Sequence, residues 1–191
     1  MSIKKSQSGF TLVEMVVAVG LFSIVSVLIA QLFVLFNRAQ VRSSLQQQMQ
    51  SDARVMMAQL TDRIRAASIN YPAYGASVTS PGNTLFLIDE NGIEVTFAQT
   101  SVEANCPSAA ATPCLTVSED GTNFSPISSD KFTVDLVQFY VDPTTDPAEP
   151  TGPNIQPRVT FAVEMTAISN DPAQRVKANL QTTVSSRVYV K

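Results

Sequence analysis

Histidine is absent from this chain of 191 residues, and cysteine occurs only twice. Histidine is the commonest general base and the commonest metal ligand, so its absence removes the usual centre of hydrolytic and metal chemistry. The sequence also lacks a G-x-S-x-G nucleophile motif, a phosphate-binding loop and the Cys/His spacing of a zinc site. We therefore expect neither an enzyme nor a bound metal or cofactor.

Charge is sparse and unevenly placed. Charged residues make up 15% of the chain and hydrophobic residues 45%, a balance that argues against intrinsic disorder. Residues 38–68 carry five basic and two acidic side chains, whereas residues 69–191 carry six basic and thirteen acidic ones, a net charge of −7. A protein that binds nucleic acid needs clustered lysine and arginine, so the acidic region is not expected to bind nucleic acid.

Proline and glycine, which interrupt helices, are rare at the start of the chain. No proline precedes Pro72, and Gly20 is the only glycine within residues 10–74. Residues 10–36 are almost wholly apolar, and 27 helical residues reach about 40 Å, more than the hydrocarbon core of about 30 Å. This segment predicts a transmembrane helix without an internal break.

Glu14 is the only formal charge in that apolar segment. Placing an acidic residue at the centre of a membrane helix costs about 2.5 to 3.5 kcal/mol on insertion scales. Such a residue indicates a function, and its charge needs a partner.

Residues 37–68 have the periodicity of an amphipathic helix. Apolar side chains recur at intervals of three or four residues, which places them in one stripe, with arginine and glutamine opposite. We predict one continuous helix from Phe10 to about Ser68, with the stripe packed against a partner. The stripe comprises Val41, Leu45, Met49, Ala53, Met56, Leu60, Ile64 and Ala67.

The remainder of the chain is rich in strand patterns. Alternating or continuous apolar runs bounded by turn residues predict antiparallel strands that pack as a sheet on the helix stripe. A change of apolar parity at Leu136-Val137 indicates a β-bulge or burial on both faces, and the five prolines of residues 142–157 indicate a loop. Asn91-Gly92 is typical of a hairpin turn, and Ser169–Pro172 is a second turn. The predicted strands are Thr84–Asp89, Ile93–Phe97, Leu115–Val117, Phe132–Val141, Val159–Ala167 and Leu180–Val190.

The basic leader ending in Gly9, followed by Phe10-Thr11-Leu12-Val13-Glu14-Met15-Val16-Val17-Ala18, resembles the start of a type IV prepilin-like protein. An ordinary signal peptide is the alternative, but its apolar region is about 7–15 residues long and ends at an A-x-A-like site. The resemblance implies an α+β, pilin-like fold. It divides the chain into a leader (1–9), a transmembrane helix (10–36), its amphipathic continuation (37–68) and a β-rich head (69–191).

The resemblance also implies what these residues do. A membrane peptidase is expected to cut between Gly9 and Phe10 and to methylate the new amino terminus of Phe10. Glu14 is expected to pair with the terminal amine of a neighbouring subunit in a filament. The implied partners are prepilin peptidase, other pilin or pseudopilin subunits and the inner membrane, with the head outside the cytoplasm before assembly into a pilus or pseudopilus.

Weaker similarities in the helix segment 52–67 and the strand 180–187 suggest a minor pilin of the W type or a J-type pseudopilin of type II secretion. The absence of a proline from the span favours a straight helix and a minor subunit. The alternative function is a membrane-anchored, pilin-like receptor for DNA or a surface ligand.

Cys106 and Cys114 bracket a nine-residue loop. Because the membrane segment exports the part of the chain after it, an oxidising compartment and a disulfide are expected. The alternative is a pair of free thiols in a reducing host.

The acidic loop of residues 142–149 is the one candidate for a metal. Asp142, Asp146 and Glu149, with Asp135 nearby, carry oxygen ligands suited to calcium, but their spacing matches no EF-hand loop. A rigid, solvated loop is the expected structure, without a metal site.

Overall fold

The computed structural model describes residues 9–75, 78–150, 152–153, 155–169, 171 and 174–186. The chain divides into two compact units, Met1–Val41 and Arg42–Lys191. In the described residues one long helix precedes eight strands and three short 3₁₀ turns (Tyr71–Tyr74, Glu103–Asn105 and Ala109–Ala111). The elements are α1 (Leu12–Ala66), β1 (Ser68–Ile69), β2 (Thr84–Ile88), β3 (Glu94–Thr100), β4 (Cys114–Ser118), β5 (Ser125–Pro126), β6 (Phe132–Asp142), β7 (Arg158–Ala167) and β8 (Lys177–Ser185).

The predicted combination of one long helix and an antiparallel β head is confirmed, giving an α+β, pilin-like architecture. The helix is shorter than predicted by two residues at each end. It begins at Leu12 because Thr11 caps it, and it ends at Ala66 because Ser68 and Ile69 leave the helix to pair with β2.

The strands form two sheets, whereas the sequence predicted one. The first sheet has the order β1-β2-β3-β4-β5 and the second the order β6-β7-β8, and every pairing is antiparallel. Strands β1 and β5 contain two residues each, too few to produce a periodic pattern, and neither was predicted. Strand β8 ends at Ser185. Val188 and Val190 of the predicted strand lie outside the described residues, and so do the leader residues 1–8.

The amphipathic part of α1 and the inward faces of both sheets share one hydrophobic core. The stripe is buried from Met49 onward, with Leu60 and Ile64 fully inaccessible to water. Its first two members behave differently, because Leu45 is only half-buried and Val41 is exposed. The stripe therefore meets the head over its last six members: Met49, Ala53, Met56, Leu60, Ile64 and Ala67.

The loop of the hairpin between β2 and β3 contains more residues than the two that the Asn91-Gly92 signal predicted. The strands end at Ile88 and Glu94, and residues 89–93 form the loop. The carboxylate of Asp89 accepts hydrogen bonds from the backbone N–H groups of Asn91 and Ile93, at 2.9 and 2.7 Å. These bonds hold Ile93 in the loop, where 47% of it is exposed, instead of in the core.

The predicted irregularity in β6 is a β-bulge, and it joins the two sheets. The register of β6 against β7 shifts between Val134 and Leu136. The side-chain amide of Gln99, on β3, donates to the carbonyl oxygens of Val134 (2.8 Å) and Asp135 (3.0 Å) and accepts from the N–H of Val137 (3.3 Å). The Gln99 side chain thus supplies the hydrogen-bond partners that a neighbouring strand would otherwise give to these backbone groups.

Removing the Gln99 amide should destabilise the head. Gln99→Ala leaves two backbone carbonyls and one N–H without their partner, and the free energy of unfolding should fall by about 2 kcal/mol. Gln99→Glu should also destabilise, because an ionised carboxylate cannot donate to the two carbonyls. We would measure urea denaturation of the soluble fragment 38–191.

Gln181→Ala provides the matched control. Gln181 is an exposed glutamine on β8, so its loss should change the free energy of unfolding by no more than about 0.5 kcal/mol. Equal effects at positions 99 and 181 would show that the Gln99 hydrogen bonds do not join the sheets.

Candidate processing and assembly site

The junction of Gly9 and Phe10 is exposed and not helical, and it lies just ahead of α1. Phe10 is 83% exposed. A Cβ atom built on Gly9 would meet no atom within 4 Å, and Gly9 is not among the glycines with positive φ. The described structure therefore gives no steric reason for glycine at this position.

Thr11 and Glu14 cap the amino terminus of α1. The backbone N–H and the hydroxyl of Thr11 both donate to Oε2 of Glu14 at 3.0 Å, and the N–H of Glu14 donates to the Thr11 hydroxyl oxygen at 3.3 Å. This is the reciprocal arrangement of a capping box, in which two unpaired backbone donors are satisfied together. The role of Thr11 was missed from the sequence, although the spacing Thr-x-x-Glu indicates it.

The two oxygens of the Glu14 carboxylate differ in their contacts. Oε2 holds the cap, whereas Oε1 has no hydrogen-bond partner among the described residues. The arrangement fixes the carboxylate close to the backbone at the start of α1, with one oxygen left to accept a further donor.

The part of α1 beyond Glu14 is apolar and uncovered within its own unit. Large hydrophobic side chains from Leu12 to Phe36 are about half to four-fifths exposed. This helix contains a segment long and apolar enough to cross a membrane. The hydroxyl of Ser23 donates to the carbonyl oxygen of Val19 at 2.8 Å, so this polar group is satisfied inside the helix, as lipid requires.

Cys106 and Cys114 are joined as a disulfide, with their Cα atoms 5.7 Å apart. The bridge fastens the loop that precedes β4. Within that loop Ala111 is fully buried, and the carbonyl oxygen of Pro113 accepts a hydrogen bond of 2.8 Å from the N–H of Val134, next to the bulge in β6. The disulfide therefore holds the loop against the edge of the second sheet.

Three of the four carboxylates considered for calcium have protein partners, whereas the side chain of Glu149 forms no hydrogen bond or ion pair with the described residues. Asp142 forms an ion pair with Arg158 (2.6 Å), Asp146 accepts from the N–H of Ala148 (2.8 Å), and Asp135 accepts from the hydroxyls of Thr133 and Thr166. Within the described ranges no group of three or more acidic, cysteine or histidine side chains is placed to hold a metal ion.

Two aspartates of the head, the exposed Asp120 and the half-buried Asp89, stabilise turns. Backbone N–H groups of Asn123 and Thr122 hold the pKa of Asp120 well below its usual range, and the N–H of Ile93 lowers the pKa of Asp89 in the same way. These carboxylates are charged throughout the neutral range. Their contribution to stability is present above their usual pKa and is lost only as the pH falls through the lowered value.

The structure thus separates the predicted residues into two groups. Gly9, Phe10 and Glu14 lie together at the start of α1, in the first unit, whereas the two cysteines lie in the second unit. The first group is an exposed, non-helical dipeptide followed by a carboxylate that Thr11 holds in place, and the second is a disulfide that fastens a loop.

Comparison with protein families gives one finding for this first group. Residues 4–30 match the family model described as the prokaryotic N-terminal methylation motif. No curated protein and no solved structure matches the chain. The motif supports a type IV prepilin-like protein, in agreement with the long amino-terminal helix and antiparallel head, and it implies processing by prepilin peptidase and assembly with other pilins.

Removing the disulfide should destabilise the head without changing its fold. In the chain-entropy model a loop of this length contributes about 2–3 kcal/mol, so the double variant Cys106→Ser/Cys114→Ser should unfold at a correspondingly lower urea concentration. A reducing agent should lower the stability of the unmodified fragment 38–191 to the same level and leave the double variant unchanged. Equal stability of the oxidised fragment and the double variant would contradict the role given to the bridge.

Proposed function

We propose that this protein is a minor pilin or a pseudopilin, a structural subunit of a type IV pilus or a type II secretion filament. The observation that carries the proposal is the methylation motif over residues 4–30, which coincides with the exposed Gly9–Phe10 junction and the start of an apolar helix. Prepilin peptidase would cut after Gly9 and methylate Phe10. The role is structural and requires no catalytic centre of its own.

The membrane segment would determine the location of the subunit before assembly. Residues 10–36 would cross the inner membrane once, with the leader 1–9 on the cytoplasmic side. This orientation rests mainly on the family resemblance. Lys4 and Lys5 favour a cytoplasmic leader, because positive charge near a span favours the cytoplasm, but Arg38 and Arg42 flank the other end of the span and weaken that argument. The head formed by residues 69–191 would then lie outside the cytoplasm, where the disulfide between Cys106 and Cys114 is chemically favoured.

Glu14 would provide the assembly contact. Cleavage after Gly9 creates an ammonium group at Phe10, and a charged amine in a lipid-like environment needs an anion beside it. Oε1 of Glu14 in a neighbouring subunit supplies that anion while Oε2 still caps its own helix. The same contact would set the axial register of one subunit on the next.

The span favours a minor rather than a major subunit. It has no proline, and α1 is helical without interruption from Leu12 through Phe36. Its interior glycine, Gly20, costs only about 1 kcal/mol relative to alanine. A helix that keeps every backbone group paired has no segment prepared to extend during packing in a shaft.

The charge of the head weighs against a DNA receptor. Residues 69–191 carry a net charge of −7, and two of their arginine or lysine side chains, Arg158 and Lys177, already pair with Asp142 and Glu164. Phosphate binding requires clustered basic groups.

Substitutions of Glu14 test the assembly contact. Glu14→Ala should be cleaved after Gly9 like the unmodified chain, because the peptidase acts on the junction, but should be incorporated into filaments several-fold less. Glu14→Gln keeps an acceptor for the cap and removes the charge, so it should fail in the same way if the carboxylate pairs with the Phe10 amine. The measurement is the fraction of chain that sediments with sheared filaments.

Thr11→Ala serves as the control, because it weakens the cap but keeps the charge of Glu14. It should be incorporated better than either Glu14 variant. If Glu14→Gln were incorporated normally, the carboxylate would act only through the helix cap and the proposed contact would be wrong.

A further inference from the structure

Three of the four sheet edges in the described structure are protected against pairing with another strand. Strands β1 and β5, at the two edges of the first sheet, contain two residues each. At the β6 edge of the second sheet, Gly82 and Phe139 exchange two backbone hydrogen bonds (2.9 and 2.7 Å), and Pro113 and Gln99 cover the region of the bulge. Short edge strands and covered edges are the usual means of preventing unwanted strand addition.

Strand β8 forms the fourth edge and has none of these protections. It contains nine residues, Lys177–Ser185, in unbroken register with β7. From Ala178 to Ser185 it has no charged residue and no proline. No described backbone group outside the β7 ladder hydrogen-bonds to these residues. The outer edge therefore presents a row of backbone donors and acceptors that an extended segment can pair with.

We propose that the free edge of β8 receives an extended segment of a different polypeptide, which adds a fourth strand to the second sheet. The inference rests on the proposed function, which requires neighbouring subunits. It identifies the β8 edge as the surface by which this subunit recognises one of them. Main-chain hydrogen bonds would supply the affinity, and alternate side chains the specificity.

The side chains of β8 define the chemistry of that segment. On the inward face Ala178 and Leu180 pack against the core but are only half-buried, so the next strand must bring apolar side chains to complete their cover. On the outward face Asn179, Gln181 and Thr183 are exposed, uncharged and polar. The matching segment thus alternates apolar with neutral polar residues and has no charge opposite Gln181.

A second copy of this chain fits the edge poorly. A symmetric β8–β8 pair would be antiparallel about a two-fold axis normal to the sheet, and that axis reverses every direction lying along the sheet. The part of α1 packed in the same core would run in opposite directions in the two copies, whereas subunits of the proposed filament would all point the same way. A head-to-tail pair would need a second free edge, and neither the two-residue strands nor β6 supplies one.

Gln138, Ala162 and Gln181 form one row across the second sheet, which provides a matched pair of probe positions. Gln181 lies at the free edge and Gln138 lies on the covered strand. We would place a photo-crosslinking amino acid at position 181 or 138 of the full chain in its host and identify the adducts by mass spectrometry. In parallel, Gln181→Lys and Gln138→Lys would be compared for the fraction of chain that sediments with filaments.

The proposal predicts an adduct from position 181 to an extended, alternating segment of a different polypeptide, and a much weaker one from position 138. Gln181→Lys should lower the filament-associated fraction about fivefold, because lysine at an edge opposes strand addition, whereas Gln138→Lys should leave it unchanged. An adduct only to a second copy of this chain, equal adducts from both positions, or no adduct at position 181 would overturn it. Failure of the proposed function is distinguishable, because the unmodified chain would then be absent from the filament fraction altogether.

Discussion

The two large apolar surfaces of α1, the stripe from Met49 to Ala67 and the segment from Phe10 to Phe36, must be covered by something other than water, and they meet this constraint differently. From Met49 to Ala67 the cover is the chain's own head, because the buried stripe and both sheets form one core. From Phe10 to Phe36 the chain supplies no cover, since these side chains are exposed within their own unit. In the proposed function, lipid and later neighbouring subunits would provide it. The proposed membrane anchor and filament both follow from this difference.

Glu14 and Thr11 show how the same few atoms can serve folding and assembly. One carboxylate oxygen closes the helix terminus through Thr11, while the other is left to accept a donor. In water a free carboxylate oxygen has little consequence, but in lipid it demands a cation. The proposed partner is created by the cleavage itself, which exposes an amine on Phe10, so processing and assembly would be linked through one charge pair. The open edge of β8 would add a second, main-chain contact in the head.

The sequence predicted the elements in which apolar residues recur at regular spacing, and missed the features that lack such a pattern. The long helix and the strands of the second sheet are expected from regular apolar spacing, and even the bulge near Leu136 left a change of parity. The contact between the two sheets includes Gln99, whose side chain bonds to backbone groups of a strand distant in sequence, and no local pattern shows this. Ile93 was misplaced because Asp89 holds it in the turn. Glu14 stood out as the one charge in an apolar segment, whereas Gly9 and Phe10 were found only through resemblance to a family, since their proposed roles depend on other proteins.

The most direct test of the filament-subunit account is the mass of the amino-terminal peptide of the protein purified from membranes or filaments of its native host. The account predicts a chain that begins at Phe10 and carries one methyl group on the terminal nitrogen, with residues 1–9 removed. A chain that retains its leader, or that begins beyond Ala30 as after an ordinary signal peptide, would contradict it.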